Sequence, residues 1–504
     1  MEGSTIVNAN APATADTIAT STTIATSATT SISTTTINTT ETPVIITNAN
    51  KHKSVNWRNQ PQSIALVSGA LIFLAAGLNL AQSLGWNEFE ATSIHFYLSW
   101  FIGSIIGCIL SIPLVLLIAK KYIMASCSCL ILIDGIISVS APESEVALIA
   151  ARYLNGIAVG VVTITFLIHA SEVAVKSYRG SCLAMEQYAI SFGIIIQVIY
   201  ISLWGEVDFP SNILRGIFDI LFGLLAFISA LIFTIESPVY YLRQGNETMA
   251  LDCLARLERP KGIKTTTYAL LEEHKSYLRE NEKYDIVESF KLSLVPLVKL
   301  ILYRSLMLTF GFSLPLTIAV KMGALLSLGP ESWPFIVYAA LRVFGSLITL
   351  FTVDTLGRKI ISLLSLILIG ALLIPIGIFF SNHYNVLDKQ KMAIVCTLSL
   401  LIQFFAGIFA PNTSAYMGEA FPLDVKPYLL AVCVIAEHLI NIIIISALTT
   451  KTTTIDSLSQ YFLTAGIVII FLFLLFCAVM PETRKTSLSQ AQSRLQKLLY
   501  LKLY

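Results

Sequence analysis

Charged residues are scarce in this chain of 504 residues, because Asp, Glu, Lys and Arg together make up 13% of it while hydrophobic residues make up 55%. A soluble globular protein carries roughly twice that charged fraction, and the mean hydropathy of +0.75 also excludes one. The net charge of +2 provides no large basic surface, which argues against a nucleic-acid partner. The composition therefore indicates an integral membrane protein, whose surroundings are a lipid bilayer.

Residues that build enzyme and metal sites are few or poorly spaced. The six histidines show no metal-ligand spacing, and neither a nucleophile–base pair nor a glycine-rich nucleotide loop stands out. These absences argue against a catalytic site, a metal site, a cofactor and an ATP-driven pump. The eight cysteines lie in apolar segments or in the central polar segment, so we expect packing thiols rather than disulfides.

Residues 1–60 are rich in Thr, Ser, Ala and Asn and carry almost no charge before Lys51. Such a segment buries too little apolar surface to fold, which predicts a disordered tail. About twelve apolar segments follow, each long enough to cross roughly 30 Å of hydrocarbon as a helix. We place them at 62–84, 93–118, 122–140, 145–169, 182–204, 213–235, 297–320, 332–353, 360–381, 391–417, 428–449 and 460–480.

The connections between these segments differ in charge from one side to the other. One side is basic and carries Lys120, Lys121, Lys176, Arg179, Arg358, Lys359, Lys426 and the tail from Arg484 to Lys502. The other side is acidic and carries Glu88, Glu90, Glu143, Glu145, Glu206 and Asp208. Because basic loops stay inside, both termini are predicted to be cytosolic.

Three charged patterns occur twice, in the same order and at nearly the same offset. The segment Glu172 to Arg179 places an acid and a base around six residues, and Glu419 to Lys426 repeats this 247 residues later (419 − 172). The other pairs are Glu236 with Glu482, at 246 (482 − 236), and Lys120 with Arg358, at 238 (358 − 120). This repetition indicates a duplicated membrane bundle.

The expected organisation follows from these observations. It is an all-α membrane protein of twelve transmembrane helices in two pseudo-symmetric bundles. The predicted parts are the cytosolic tail 1–60, the six-helix bundle 61–235, the cytosolic linker 236–296, the six-helix bundle 297–480 and the cytosolic tail 481–504. The linker alternates charged and apolar residues at helical spacing, which predicts short amphipathic helices.

With these motifs the chain resembles the sugar transporter branch of the major facilitator superfamily, over essentially all of 60–490. The matching segments are Arg152 to Glu172 to Arg179-Gly180, Gln187 with Gly193, Glu236-Ser-Pro-Val-Tyr-Tyr-Leu, Asp354-x-x-Gly-Arg-Lys, Gly418-Glu419-Ala-Phe-Pro422 and Pro481-Glu-Thr-Arg. The chain is similar to facilitative hexose and trehalose carriers. The resemblance implies transport of such a sugar by alternating access, in the plasma membrane, and it implies no oligomer.

The resemblance also suggests a cytosolic gate, in which charges latch the two halves together in one state and bias the equilibrium between states. Its predicted members are Arg152, Glu172, Arg179, Asp354, Arg358, Glu419 and Lys426. The alternative is that these charges only set the orientation of the protein. We favour that alternative for Lys120 and Lys121, because Leu116 and Ala119 stand where the family carries an acidic residue and a glycine.

A sugar site needs amides, hydroxyls and aromatic faces. The resemblance places Gln187 where these carriers hold a sugar hydroxyl, and the alternative is an amide that bridges two helices. The second half departs from the family, because Ser414 replaces a tryptophan and Glu437-His438 replaces Asn-Trp. The glutamines of the seventh helix are also lost. The remaining candidates for substrate binding are Ser313, Asn412, Ser414 and Asn441.

Charges inside the predicted helices require partners. Arg342 is twelve residues before Asp354 and Glu437 is eleven after Lys426, so both lie roughly 16–18 Å from the cytosolic ends of their helices. We therefore predict an ion pair between Arg342 and Glu437. Four residues separate Arg215 from Asp219 in the sixth helix, which predicts a local pair.

The mode of transport and two other function classes stay open at this point. Proton-coupled carriers of this fold place a carboxylate in the first helix, whereas 62–84 contains no Asp or Glu. Downhill transport is therefore the default, with Glu186 or Glu437 as alternative proton acceptors. A sensor that binds a sugar without moving it, or a carrier of another solute, is the alternative that the altered second half favours.

Overall fold

The structure is a computed structural model that describes residues 60–88, 92–203, 210–450 and 454–501. These residues belong to one compact unit, and the regular structure among them consists of helices without strands. The predicted disordered tail lies outside the described residues, apart from Gln60. The acidic residues Glu90, Glu206 and Asp208 of the predicted outer loops lie outside them as well.

The described part of the chain contains eleven helices that are long and apolar enough to cross a membrane, preceded by the apolar helix Val67–Ser83. We number the twelve segments as spans 1 to 12. Spans 1 to 6 are Val67–Ser83, Ile94–Leu117, Lys120–Ser140, Glu145–Val173, Arg179–Ser202 and Ser211–Ile232. Spans 7 to 12 are Ile286–Leu328, Trp333–Thr352, Arg358–Phe380, Lys389–Ala420, Lys426–Thr450 and Ile455–Val479. The predicted all-α membrane fold class is thereby confirmed.

Span 7 departs most from the sequence prediction, because its helix begins at Ile286 rather than at 297. It continues as a π-helical turn at Ile301–Leu306 and a short helix at Met307–Gly311, and it resumes at Leu314–Leu328. Pro315, in the first turn of the last piece, has no backbone N–H to donate and does not continue a helix from the preceding turn. The span is therefore interrupted at Phe312 and Ser313.

The segment between spans 6 and 7 forms three helices, Pro238–Arg243, Glu247–Leu257 and Thr265–Asn281. Leu254 and Leu271 pack together in a small apolar cluster, as expected when the apolar faces of amphipathic helices meet. We call the side of the spans on which these helices lie the insert side, and the opposite side the far side.

The two halves repeat one packing arrangement. In the first half span 2 packs against span 4, and span 3 packs against spans 4 and 6. In the second half span 8 packs against span 10, and span 9 packs against spans 10 and 12. Span 5 crosses to contact span 8, and span 2 crosses to contact span 11. The space between these crossing helices is therefore the interface of the two halves.

Large apolar side chains remain on the outer faces of the spans. Ile109 is 54% exposed, Phe351 is 69% exposed and Phe471 is 65% exposed. Such a surface would be costly in water, whereas lipid tails solvate it. Together with the length of the helices, this surface is that of an integral, multi-pass membrane protein.

Glycines allow spans 2 and 4 to touch through their backbones. A Cβ atom added to Gly160 would lie 2.2 Å from the carbonyl oxygen of Ser104, and one added to Gly107 would lie 2.3 Å from that of Ile157. A backbone carbonyl cannot rotate away from such a clash. The close approach of the two spans therefore requires glycine at these positions.

We expect Gly160→Val to destabilise the protein by about 3 kcal/mol, because the added side chain forces spans 2 and 4 apart. The measurement is the thermal unfolding midpoint of the purified protein in detergent. Ile109→Val on the outer face of span 2 is the control and is expected to leave the midpoint nearly unchanged. Equal midpoints for both variants would contradict the backbone contact.

Candidate functional site

A small cavity lies between the two halves. Its walls come from spans 1, 2, 4, 5, 7, 8 and 11 and consist of Leu80, Trp100, Phe101, Val159, Thr163, Glu186, Gln187, Ile190, Arg304, Leu308, Phe312, Arg342, Val434, Glu437, His438 and Asn441. The cavity offers about 40 Å³ to the centres of water molecules. This is room for a few waters and not for a sugar, so the walls must move apart before a sugar can enter.

Arg304 lines this cavity and bridges the two halves. Its Nη2 lies 2.6 Å from Oε1 of Glu186 on span 5, and its Nε lies 2.9 Å from Oε2 of Glu437 on span 11. Arg304 belongs to the π-helical turn of span 7, a feature that often occurs at functional sites. We call Glu186, Arg304 and Glu437 the central triad. One carboxylate of each half therefore binds the same guanidinium group.

A second contact between the halves surrounds His438. Its Nε2 lies 2.9 Å from the hydroxyl of Ser104 on span 2, and its ring lies 5.6 Å from that of Trp100. The indole N–H of Trp100 donates to Asn155 (3.0 Å), whose amide donates to Asp134 (2.7 Å). A chain of hydrogen bonds thus fixes the aromatic wall of the cavity to the core of the first half.

Asp134 also belongs to a buried charge cluster in the first half. Nη1 of Arg215 lies 3.5 Å from a carboxylate oxygen of Asp134 and 3.5 Å from one of Asp219. The predicted local pair of Arg215 with Asp219 is confirmed. Two carboxylates share one guanidinium group here, as they do in the central triad.

The structure brings two of the five predicted substrate-binding residues to the cavity. Gln187 lines it and donates to Glu186 (3.2 Å), and Asn441 lines it and donates to Thr309 (3.2 Å). The other three, Ser313, Asn412 and Ser414, do not line it.

Their contacts, where the structure shows them, lie within the second half. The hydroxyl of Ser313 accepts from Tyr461 on span 12 (3.0 Å), and the amide of Asn412 donates to Ile408 on its own helix (3.1 Å). Ser414 is buried within span 10. The sequence identified these side chains as polar groups in apolar spans, and polarity alone did not indicate the face of the helix on which they lie.

The predicted pair of Arg342 with Glu437 is wrong. Arg342 instead donates to Gln403 (3.3 Å), and its guanidinium carbon lies 4.8 Å from the centre of the Phe312 ring. Both predicted partners line the cavity, so their similar depth was correctly derived. The carboxylate of Glu437 binds Arg304 in place of Arg342. Arg304 lies seven residues inside the predicted seventh span, and a charge in an apolar span was the signal that sequence reasoning missed.

Buried charges connect the two halves on the insert side. Glu419 on span 10 accepts from Arg179 of the first half (3.3 Å) and forms an ion pair with Arg358. Asp354 accepts from the backbone N–H groups of Gly180 (3.2 Å) and Ser181 (2.8 Å). We call Arg179, Asp354, Arg358 and Glu419 the latch. Four of the predicted gate residues therefore meet in one network across the interface.

Two further predicted gate residues lie next to the latch. Lys426 at the start of span 11 donates to the hydroxyl of Ser171 in the first half (2.7 Å). Glu172 lies 3.3 Å from Lys120, which also lies 3.4 Å from Glu236. Lys120 is buried in these contacts, so the interpretation of Lys120 as a purely orienting charge is wrong.

Arg152 does not belong to this network. It precedes Glu172 by 20 residues on the same helix, which separates them by about 30 Å. Its guanidinium group donates to Gln82 (2.8 Å) and to the carbonyl of Phe96 (3.0 Å). The predicted placement of Arg152 in the gate is therefore wrong, because the helical rise carries it towards the far side.

Contacts between the halves also cover the cavity on the far side. Trp86, which follows span 1, packs its ring 5.6 Å from that of Phe335 and 5.7 Å from that of Tyr338 on span 8. Lys321 on span 7 donates to the carbonyl of Gly85 (2.7 Å). The halves therefore touch both above and below the cavity, in agreement with its small volume.

Two like-built membrane halves, with a cavity lined by charged, polar and aromatic side chains between them and contacts on both sides of it, are typical of a membrane transporter. The profile of the family described as "Sugar (and other) transporter" matches residues 17–495. The chain belongs to this family, which confirms the resemblance seen in its motifs.

Individual relatives extend over most of the chain at low identity. The galactose-proton symporter of Escherichia coli (strain K12) is 23% identical over 449 residues, which cover 86% of this chain and 91% of the relative. The sugar transporter ERD6-like 7 of Arabidopsis thaliana is 23% identical over 462 residues, which cover 87% and 94%.

A solved structure shows the same fold. The proton:xylose symporter XylE, bound to 6-bromo-6-deoxy-D-glucose, matches with a TM-score of 0.68 at 17% identity, over 86% of this chain and 98% of XylE. XylE belongs to the major facilitator superfamily. The arrangement of twelve spans is therefore that of the major facilitator fold.

We expect Glu419→Gln to loosen the insert side, because it leaves Arg179 buried without a paired carboxylate and Arg358 with Asp354 alone. Breaking a buried ion pair costs about 3–5 kcal/mol. The measurement is hydrogen–deuterium exchange of residues 172–181 and 354–359 in nanodiscs, which should increase. Asp424→Asn is the matched control, because Asp424 pairs with Arg243 where both side chains are over a third exposed. Equal exchange in the two variants would contradict the latch.

We expect Arg304→Met to lower the thermal unfolding midpoint strongly, because it leaves the buried Glu186 and the mostly buried Glu437 without their cation. The triple variant that adds Glu186→Gln and Glu437→Gln should recover most of the loss, since replacing a whole buried ion cluster is often nearly neutral. The midpoints of the single and triple variants in detergent provide the test. A triple variant no more stable than the single one would contradict the role of Arg304 as the counter-charge of the two carboxylates.

Proposed function

We propose that this protein carries a carbohydrate across the membrane by alternating access, with the central cavity as its substrate site. The observation that supports this most directly is the position of Gln187, Asn441 and Trp100 on the cavity wall between the halves. Amide groups bind sugar hydroxyls and an indole ring packs against the apolar face of a sugar. Membership of a transporter family favours this function over a sugar sensor.

In the proposed transport cycle, the latch holds the two halves together on the insert side and so closes that side. The ion pair of Arg179 with Glu419 and the hydrogen bonds from Gly180 and Ser181 to Asp354 cross between the halves, so opening on that side must break them. A ligand or contact that differs between two states shifts the equilibrium between them. We therefore assign Arg179, Asp354, Arg358 and Glu419 to the gate, with Glu172 and Lys426 as its neighbours.

We place the insert side in the cytosol and the protein in the plasma membrane. The latch, the insert and the segment after span 12 gather basic residues on the insert side, and basic loops remain in the cytosol. Both termini would then be cytosolic. No catalytic step is part of this proposal, because the family consists of transporters.

Downhill transport remains the default mode, with proton coupling as the second candidate. Span 1 contains no carboxylate in its sequence, and its polar residues, among them Asn79 and Gln82, are neutral. The second candidate is favoured by Glu186 and Glu437, which place two carboxylates on the cavity wall. Two of the similar proteins are described as proton symporters, which also supports a test of coupling.

We expect vesicles that contain the purified protein to take up labelled glucose, fructose or trehalose with saturable kinetics. Uptake that is independent of a pH gradient would support downhill transport, whereas accumulation driven by an inward proton gradient would support coupling. Vesicles without protein are the control. Sugar binding without uptake under either condition would overturn the transport proposal in favour of a sensor.

A further inference from the structure

Arg342 differs from the other charged residues of the cavity in its partners. Glu186 and Glu437 both bind Arg304, whereas Arg342 forms no ion pair with a carboxylate in the described part of the chain. Its side chain is 3% exposed and lines the cavity. A buried cation normally has an anionic partner, since the loss of hydration is otherwise uncompensated.

The surroundings of Arg342 hold its guanidinium group in one position. The amide of Gln403 donates to the carbonyl of Gly311 (2.8 Å), which turns its oxygen towards Nη1 of Arg342 (3.3 Å). The ring of Phe312 covers one face of the guanidinium group. Nε of Arg342 has no hydrogen-bond partner among the described residues. A fixed guanidinium group with a free donor is well suited to a planar carboxylate.

We propose that the substrate is a sugar that carries one carboxylate, a uronate or an aldonate, and that Arg342 binds this group. This inference depends on the proposed function, because it concerns the same cavity. One cation without a protein carboxylate matches a monoanion, whereas a phosphate ester carries close to two charges at neutral pH. Gln187 and Asn441 remain available for the hydroxyl groups of the same sugar.

The test measures binding and uptake of labelled glucuronate and glucose by the full-length protein in vesicles. We expect unlabelled glucuronate to compete for uptake at concentrations at least tenfold lower than unlabelled glucose. Arg342→Gln should weaken the affinity for glucuronate at least tenfold more than the affinity for glucose, and Arg342→Lys should retain most of the preference because it keeps the charge.

Lys321→Gln is the matched control, because Lys321 is also a cation of the second half but does not line the cavity. It should change both affinities equally. Uptake of glucose without binding of or competition by glucuronate would overturn the inference and leave the proposed function intact. Binding of glucuronate that depends on Arg342, without uptake of either compound, would support the inference and overturn transport. Should Arg342→Gln not fold, competition in the unaltered protein decides.

Discussion

The ion pairs of Glu419 with Arg179 and Arg358 are the interaction on which the arrangement of the two halves depends. All three side chains are almost completely buried, and buried charges are tolerated only when they are paired. Arg179 comes from the first half and Arg358 from the second, so these pairs are satisfied together only when the halves meet on the insert side. The network that stabilises this conformation therefore also opposes its opening.

The latch and the cavity are built on the same helices. Span 5 carries Arg179 at its first residue and Glu186 seven residues later, about 10 Å away along the axis. Span 11 likewise begins at Lys426 and carries Glu437 on the cavity wall. Because a helix moves as a rigid body over such a distance, displacement at the latch must shift the cavity wall. This contiguity is a physical route for coupling between the gate and the substrate site.

The features that were predictable from the sequence are those encoded by local patterns. The length of the apolar segments indicated the spans, and the repeated acid–base spacing indicated two like-built halves. The charge of the connections indicated which charges lie on one side. The partners of these charges were not predictable, because Arg179 and Glu419 are 240 residues apart (419 − 179) and meet only through packing. Arg304 was missed although a charged residue inside an apolar span is itself a local signal. Its partners Glu186 and Glu437 are distant in sequence and meet it only through packing. The error on Arg152 was avoidable, since the helical rise alone separates it from Glu172.

The residues at which the second half differs from the family pattern have found new partners, so the differences do not simply remove a polar binding site. Glu437 stands where the resembling family carries a neutral residue, and it pairs with Arg304, which also binds Glu186. His438 stands where the family carries a tryptophan; its ring forms a hydrogen bond with Ser104 and packs against Trp100. A charge introduced alone at this depth would be expensive, so these residues are explained as a set. Within the central triad only Glu186 belongs to the first half. Separation of the halves at the cavity must therefore break its ion pair with Arg304, while the pair of Arg304 with Glu437 can persist.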